Sequence, residues 1–316
     1  MYQLEKKVKQ DVIHRYEDNP IITIDDLPFR CSDIWNAGVM SYCNKHLLLL
    51  TVESLEGLGC IYLAHSEDGY RFDVESEPFM VASEEEPFRR YETFGIYDPR
   101  ITEIDSTYYI TYLAESESGR RIGLARTNDF ITVERMHFIS EPDTKSTCLF
   151  PRKFNDQYAI LERPSAGESI WLSYSNDLKH WGSSTVILTP RGGYWDANRV
   201  GVAGPPIEIS QGWLLIYYGE KNTSAGPLVR LGAAILDKND PSRVLGRSNI
   251  PILAPREKYE RIGDVSNIVF SCGAVLQDTG EIKIYYGASD SCICAGTASV
   301  DEIVDICFEN QEISLK

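Results

Sequence analysis

Long apolar runs are missing from this sequence. The longest, at residues 47–52, has the length of one strand, whereas a helix that spans a bilayer needs about 18–20 apolar residues. The first residues, 1–15, are charged and contain no apolar segment of the kind that a secretion signal requires. We therefore expect no membrane segment and no export signal, and a cytoplasmic location.

Basic residues are too few to balance the acidic ones. The 316-residue chain has 31 Lys and Arg against 47 Asp and Glu, which gives a net charge of −16. A surface of this sign repels phosphate backbones and anionic lipids. We therefore expect neither nucleic acid nor a membrane as the partner.

Metal-binding patterns are also lacking. The eight cysteines form no C-x-x-C pair, and none of the five histidines has ligand spacing with another. Free, mostly buried thiols in a reducing compartment explain the cysteines without a metal. We therefore expect no metal and no other cofactor.

What the sequence does contain is a repeat. A polar turn followed by a strand rich in Leu, Ile and Tyr starts at positions 44, 105, 155, 210 and 279, which lie 61, 50, 55 and 69 residues apart. A second strand follows each time. Alternation of period two, with Gly, Asn, Asp and Ser between the runs, is typical of β-strands. Only residues 300–308 show a helical pattern.

Five such units predict an all-β fold. Five sheets of four strands around an axis form a five-bladed β-propeller, in which each blade buries its faces against its neighbours. A pair of β-sandwiches would show no repeat of this length. We therefore predict a five-bladed β-propeller with a central active site. The single domain would span residues 1–316, with roughly the first 30 as an arm or blade closure.

Some segments have the composition of a sugar site. Residues 194–199 (YWDANR) and 285–290 (YYGASD) place aromatic rings beside carboxylates and amides, which suits the faces and edges of sugar rings. Asp98 precedes Pro99, which we expect at the start of a strand because proline has no N–H to donate. Taken singly, each aromatic is equally explained by blade packing, and Asp-Pro by a turn.

Seven motifs in order make the sequence recognisable. The chain resembles glycoside hydrolase family 130, β-mannoside phosphorylases with some β-mannosidases, from Asn36 to about Asp301. The resemblance implies a five-bladed propeller with a central site, in agreement with the repeat. The motifs are YDPRI, LFPRK, W-D-x-N-R-V-G-x-A-G-P-P, GWLLIYYG, LGAAILDKNDPSRVLGRS, Y-E-x-x-G-D-V-x-N-x-V-F and YYGASD.

The resemblance also implies a mechanism. Asp98, in the D-P-R motif, would be the general acid, acting through the 3-hydroxyl of a bound mannose. Inorganic phosphate would attack the anomeric carbon from the opposite face, as co-substrate, and give α-mannose 1-phosphate with inversion. The substrate-binding residues implied are Asn36, Tyr97, Arg100 and Asp290.

The phosphate site implied by the resemblance is altered in this chain. Phosphorylases of the family surround phosphate with Arg, Lys and His, and the matching positions here read Lys145, Arg199 and Tyr218. An Arg usual on the first inner strand reads Thr51. Two cations and a phenol still suit an anion, although Arg and Lys are not equivalent in a bidentate contact.

Three functions stay open on this reading. The first is a phosphorylase that cleaves a short β-mannoside. The second is an inverting β-mannosidase, which needs a second carboxylate roughly 6.5–9.5 Å from Asp98 to activate water. The third is a non-catalytic sugar-binding propeller, against which intact Asp98, Asp290 and Asn36 argue. In each case the partner is an oligosaccharide, while the linkage and a homo-oligomeric state stay open. Candidates for the second carboxylate are Glu53, Glu92, Glu162 and Glu220.

Overall fold

The structure is a computed structural model that describes residues 11–309. Its strands form five sheets arranged around one axis, so the predicted all-β, five-bladed β-propeller is confirmed. The expected domain of residues 1–316 includes residues 1–10 and 310–316, which lie outside the described residues. No helix between residues 11 and 309 is long and apolar enough to cross a membrane.

Each blade is an antiparallel sheet, numbered here in chain order with its strands given from the axis outwards. The first strand of blade 1 contacts the first strands of blades 2 and 5, and the first strand of blade 3 contacts those of blades 2 and 4. The blades are β2 (Asp33–Tyr42), β3 (Lys45–Glu53), β4 (Gly59–Ser66) and β5 (Asp73–Val74); β6 (Ile96–Ile104), β7 (Thr107–Ser116), β8 (Gly119–Thr127) and β9 (Glu134–Phe138); β10 (Thr144–Leu149), β11 (Tyr158–Pro164), β12 (Ile170–Ser175) and β13 (Gly182–Leu188); β14 (Arg199–Val202), β16 (Gly212–Thr223), β17 (Gly226–Leu236) and β18 (Val244–Arg247), with β15 (Ile207–Ile209) also paired to β16; and β19 (Val269–Leu276), β20 (Glu281–Ala288), β21 (Cys292–Ser299) and β1 (His14–Arg15).

Helices are few in the described chain. They are the 3₁₀ turn Ile24–Asp26, α1 (Phe88–Tyr91), α2 (Lys258–Arg261) and α3 (Val300–Phe308). The last of these confirms the helical pattern predicted for residues 300–308. Its buried face packs against blades 4 and 5.

The apolar core lies between blades. Five clusters of buried side chains within the described residues each join two neighbouring sheets. Trp213 of blade 4, for example, packs edge-to-face against Phe150 of blade 3 at a ring distance of 5.4 Å. Because every blade buries both faces in this way, the strands read as nearly continuous apolar runs.

The strands that the repeat located are the second of each blade, not the innermost. Thr51 therefore lies on β3, and Pro99 lies inside β6 rather than at its start. The first strands escaped notice because bulges interrupt the alternation of four of them, β2, β6, β10 and β19. A bulge inserts one residue and shifts the following side chains to the other face of the sheet.

The last blade takes its outer strand from the beginning of the chain. β1 pairs antiparallel with β21, and Arg15 on β1 donates hydrogen bonds of 2.7 and 2.9 Å to both oxygens of Glu260. The Glu260 side chain is fully buried and also accepts a hydrogen bond from Tyr286. This contact joins the two ends of the ring through a buried ion pair.

We predict that Arg15→Ala lowers the free energy of unfolding by about 3 kcal/mol, since it leaves the Glu260 carboxylate buried without its cation. Urea denaturation followed by tryptophan fluorescence measures this. Lys45→Ala is the matched control, because Lys45 and Glu67 form an exposed pair, and it should cost less than about 1 kcal/mol. Equal costs for the two variants would contradict the prediction.

Candidate active site

One cavity lies on the axis and takes lining residues from all five blades. Its volume is about 860 Å³, within the range of small-molecule sites. It contains carboxylates, basic side chains and aromatic rings. The sequence-predicted residues that line it are Asn36, Tyr97, Asp98, Lys145, Arg199, Tyr218 and Asp290.

Bulges in the first strands of blades 1, 2 and 3 shape this cavity. Asn36, Asp98 and Ser146 lie in these bulges with φ of 37°, 53° and 62°. Asn and Asp adopt this left-handed region more readily than most residues. The bulges break the regular alternation, and Asn36 and Asp98 line the cavity.

Asp98 is buried and held on several sides. Its carboxylate accepts a hydrogen bond of 2.8 Å from Asn36 Nδ2, and its backbone N–H donates to Thr51 Oγ1 at 3.2 Å. Its carbonyl accepts from Arg100 Nη1 at 2.8 Å. The carboxylate is therefore fixed and drawn toward blade 1.

Two glycines permit this packing. A Cβ at Gly38 on β2 would lie 2.5 Å from the carbonyl oxygen of Pro99, so only glycine lets blades 1 and 2 approach there. A Cβ at Gly287 would lie 2.5 Å from Asn36 Oδ1. Both glycines thus preserve the geometry of the Asn36–Asp98 contact.

Asp290 follows β20 and lines the same cavity. Its Oδ1 is buried and has no hydrogen-bond partner among the described residues. Burial and, to a lesser extent, the negative charge of Asp98 raise the pKa of Asp290 to about 7, against the opposing charge of Lys145. The Asp290 carboxyl is therefore a free hydrogen-bonding group that changes charge near neutral pH.

Tyr97 precedes Asp98 in the chain, and its hydroxyl is already used as a hydrogen-bond donor. The hydroxyl donates to Glu115, whose other oxygen accepts from Arg120 Nε at 2.9 Å. The Tyr97 ring meets Trp35 edge-on at 6.1 Å. Tyr97 can therefore offer a sugar its ring and the lone pairs of its oxygen.

Basic groups come from blades 3 and 4. Lys145, Arg199 and Tyr218 line the cavity as predicted, and so does Arg163 on β11, which sequence reasoning missed. The signal was present, since Arg163 is a basic residue near the end of a strand, YAILERP, that is otherwise mostly apolar. Arg163 is only 2% exposed, and its Nε has no hydrogen-bond partner among the described residues.

Two carboxylates accompany these arginines. Glu168 pairs with Arg163 and lies 3.8 Å from Arg199, and Glu220 lies 3.4 Å from Arg199 Nε. The Arg199–Glu220 contact is ionic without hydrogen-bond geometry, because Arg199 Nε has no bonded partner in the described part. Both arginines therefore keep donors for an anion.

Arg100 is a correction to the sequence prediction. We expected it to contact the sugar, but it is fully buried below the cavity and is absent from its lining. Its guanidinium donates to backbone carbonyls of Asp98, Ala203 and Val202 instead. The bulge at Asp98 explains this, since it changes which face of β6 the next side chains occupy.

The four candidates for a second carboxylate separate into two groups. Glu92 and Glu162 lie outside the cavity lining: Glu92 is buried against Tyr112 and Arg135, and Glu162 accepts from Ser173 at 3.0 Å. Glu53 and Glu220 line the cavity. Among residues 11–309 no group of His, Cys, Asp and Glu is arranged to hold a metal ion, and the eight cysteines are free thiols.

Comparison with known proteins identifies the family. A family model described as β-1,4-mannooligosaccharide phosphorylase matches residues 3–309. The chain belongs to glycoside hydrolase family 130. This confirms the resemblance drawn from the motifs, and with it that the protein is an enzyme of this family.

Several relatives in family 130 cover most of the chain. It is 33% identical to a β-1,2-mannobiose phosphorylase of Listeria innocua, over 92% of this chain and 97% of that protein. It is 38% identical to a 1,2-β-oligomannan phosphorylase of Thermoanaerobacter sp., over 76% and 78% of the two chains. The solved complex of the Listeria innocua enzyme with β-1,2-mannobiose superposes with a TM-score of 0.85, at 32% identity over 93% of this chain and 99% of that one.

Thr51 differs from the family pattern described above in a way the structure explains. The side chain is buried, and its hydroxyl accepts the backbone hydrogen bond of Asp98. The position thus supports the bulge that holds the carboxylate. The neighbouring blades supply the cations, including Arg163.

We predict that Asp290→Asn stabilises the protein at high pH only. An aspartate in the unfolded chain ionises near pH 4, whereas folded Asp290 ionises near 7, so wild-type stability falls as pH rises between these values. The variant should be about 1–3 kcal/mol more stable than the wild type at about pH 8, with little difference near pH 4. Urea denaturation at both pH values measures this.

The control is Asp278→Asn in an exposed turn, which should change stability by less than about 0.5 kcal/mol at either pH. A stability difference between Asp290→Asn and the wild type that is the same at both pH values would show that Asp290 titrates normally.

Proposed function

We propose that this family 130 enzyme is an inverting phosphorylase that cleaves a short β-mannoside with inorganic phosphate and releases α-mannose 1-phosphate. The observation that carries the proposal is the set of three cationic side chains, Lys145, Arg163 and Arg199, in the same cavity as Asp98. Mannose would lie between Asn36, Asp98 and Asp290, at the centre of the ring.

The charges suit a dianion. Phosphate brings about two negative charges into a partly dry cavity, where Arg and Lys hydrogen bonds to it are short and strong. Arg163 and Arg199 are held by Glu168 and Glu220, which limits their repulsion when no anion is bound. Tyr218 adds a hydroxyl on the same blade as Arg199.

The reaction needs one carboxyl group from the protein. A phosphate oxygen forms a bond to the anomeric carbon while the bond from that carbon to the glycosidic oxygen breaks. The departing oxygen takes a proton that originates at Asp98, through the mannose 3-hydroxyl in the mechanism that the motifs imply. Asp98 is drawn toward blade 1 by Asn36, whereas the cations come from blades 3 and 4.

Hydrolysis is the alternative, and it requires a carboxylate free to activate water on the side of the cations. The carboxylates there, Glu168 and Glu220, are each paired with an arginine. Glu53 has no ion-pair partner among the described residues, but it lies on β3 two positions beyond Thr51, which bonds to Asp98. Glu53 is therefore on the side of the acid rather than opposite it.

We expect product formation to depend on phosphate. The protein should be incubated with β-1,2-, β-1,3- and β-1,4-linked mannosides, with and without phosphate, and mannose and α-mannose 1-phosphate measured separately. α-Mannose 1-phosphate should form only when phosphate is present, from at least one linkage. Free mannose produced equally fast without phosphate would identify a hydrolase, and no product from any mannoside would favour a sugar-binding protein.

We predict that Asp98→Asn lowers kcat by roughly 10²–10⁴-fold, the range for a lost general acid, and leaves KM for the mannoside nearly unchanged. Asparagine preserves the shape of the side chain and tolerates the left-handed backbone at this position. The control is Asp105→Asn, the same change in the exposed turn after β6, which should keep wild-type turnover. A turnover near that of the wild type in Asp98→Asn would eliminate Asp98 as the acid.

A further inference from the structure

The cavity carries opposite charges on its two sides. Lys145, Arg163 and Arg199 stand on blades 3 and 4, and the fourth lining cation, Arg120 on blade 2, is paired with Glu115. Three further carboxylates, Asp33, Glu53 and Asp264, line the cavity from blades 1 and 5. We call these three residues the acidic wall.

The acidic wall is not neutralised by the protein. None of its members forms an ion pair with a described residue. Asp33 and Glu53 face each other as partners in the register of β2 and β3. Burial raises the pKa of Asp33, and the charges of Asp264 and Glu53 raise it further, so the three carboxylates are close enough to interact.

A second feature of this side indicates a ligand. Asn36, which the proposed function assigns to the mannose, is 5% exposed and lines the cavity from the same strand as Asp33, and its Oδ1 has no hydrogen-bond partner among the described residues, so the wall adjoins a place built for a ligand. Trp35 lines the same side, and Phe94 at the cavity mouth is 48% exposed. Aromatic faces beside unpaired acceptors form a surface that suits a sugar ring.

The inverting stereochemistry of the proposed reaction determines which of the two sugars of the substrate contacts this surface. The attacking phosphate and the leaving sugar must lie on opposite sides of the mannose. With phosphate at blades 3 and 4, the leaving sugar lies against blades 1 and 5. This step rests on the proposed function. The acidic wall then belongs to the subsite of the leaving sugar, which in the reverse reaction is the acceptor.

We propose that the acidic wall makes this subsite select sugars by charge: it favours an acceptor that carries an ammonium group over its neutral parent, and it rejects a uronate. An ammonium group satisfies the unpaired carboxylates, whereas a uronate adds a negative charge beside them. A neutral sugar is neither attracted nor repelled by the charge of the carboxylates.

The test uses the reverse reaction, with α-mannose 1-phosphate as donor at about pH 6.5, where an aliphatic amine is protonated. The acceptors are glucose, 6-amino-6-deoxyglucose and glucuronate, and the three corresponding mannose compounds. Each set differs only at C6, so size and ring hydroxyls are matched. We expect kcat/KM to fall about tenfold from amino sugar to neutral sugar and about tenfold again to uronate, with a smaller spread at high salt.

Substitutions in the acidic wall test whether these carboxylates cause the order of kcat/KM among the acceptors. Glu53→Gln and Asp264→Asn should each bring the three acceptors to within about threefold of one another. Asp278→Asn is the matched control, because it removes the same charge from the turn after β19, at the far end of that strand from Phe270, and should keep the wild-type order. Ratios within one variant do not depend on how much of it is folded.

The outcomes are distinct. Transfer to neutral sugars with no preference among the charges, or a preference that survives both wall variants, overturns this inference and leaves the phosphorylase assignment standing. Absence of transfer to every acceptor overturns the proposed function, and the inference with it.

Discussion

The buried guanidinium of Arg100 connects the cavity to the architecture below it. Its hydrogen bonds to the carbonyls of Asp98, Ala203 and Val202 tie blade 2 to blade 4 across the axis, where first strands have few other partners for their backbone oxygens. Because one of these carbonyls belongs to Asp98, the same guanidinium supports the bulge at Asp98 and links blades 2 and 4. The position of the Asp98 carboxylate therefore depends on how these two blades are held relative to each other.

The sequence predicted the fold well because the second and third strands of each blade are regular. Their turns and period-two alternation repeat five times, and burial on both faces favours the same apolar residues in each. The first strands were less predictable, since bulges shift their register at the cavity. That shift places Arg100, which the resemblance implied as a substrate-binding residue, beneath the cavity. Arg163 was overlooked for a different reason: a charge at the end of an apolar strand is more often exposed.

The positive charges of the cavity arginines are partly compensated by nearby carboxylates, which the sequence alone does not reveal. Arg163 and Arg199 come from different blades and share Glu168, so each cation is partly compensated before any anion arrives. The compensation lowers the cost of holding two guanidinium groups close together in a buried place. In the proposed function, an entering phosphate would compete with these carboxylates, which would favour ions that carry more than one charge.

Asp98 and Asp290 are two carboxyl groups that line the same cavity, and the charge of Asp98 acts on Asp290. Burial and the negative charge of Asp98 together raise the pKa of Asp290 to about 7. Asp290 therefore changes charge near neutral pH, because a further negative charge in this desolvated place is unfavourable. A protonated Asp290 can donate a hydrogen bond, whereas an ionised one can only accept. The charge of Asp98 thus influences which kind of hydrogen bond Asp290 can make in the cavity.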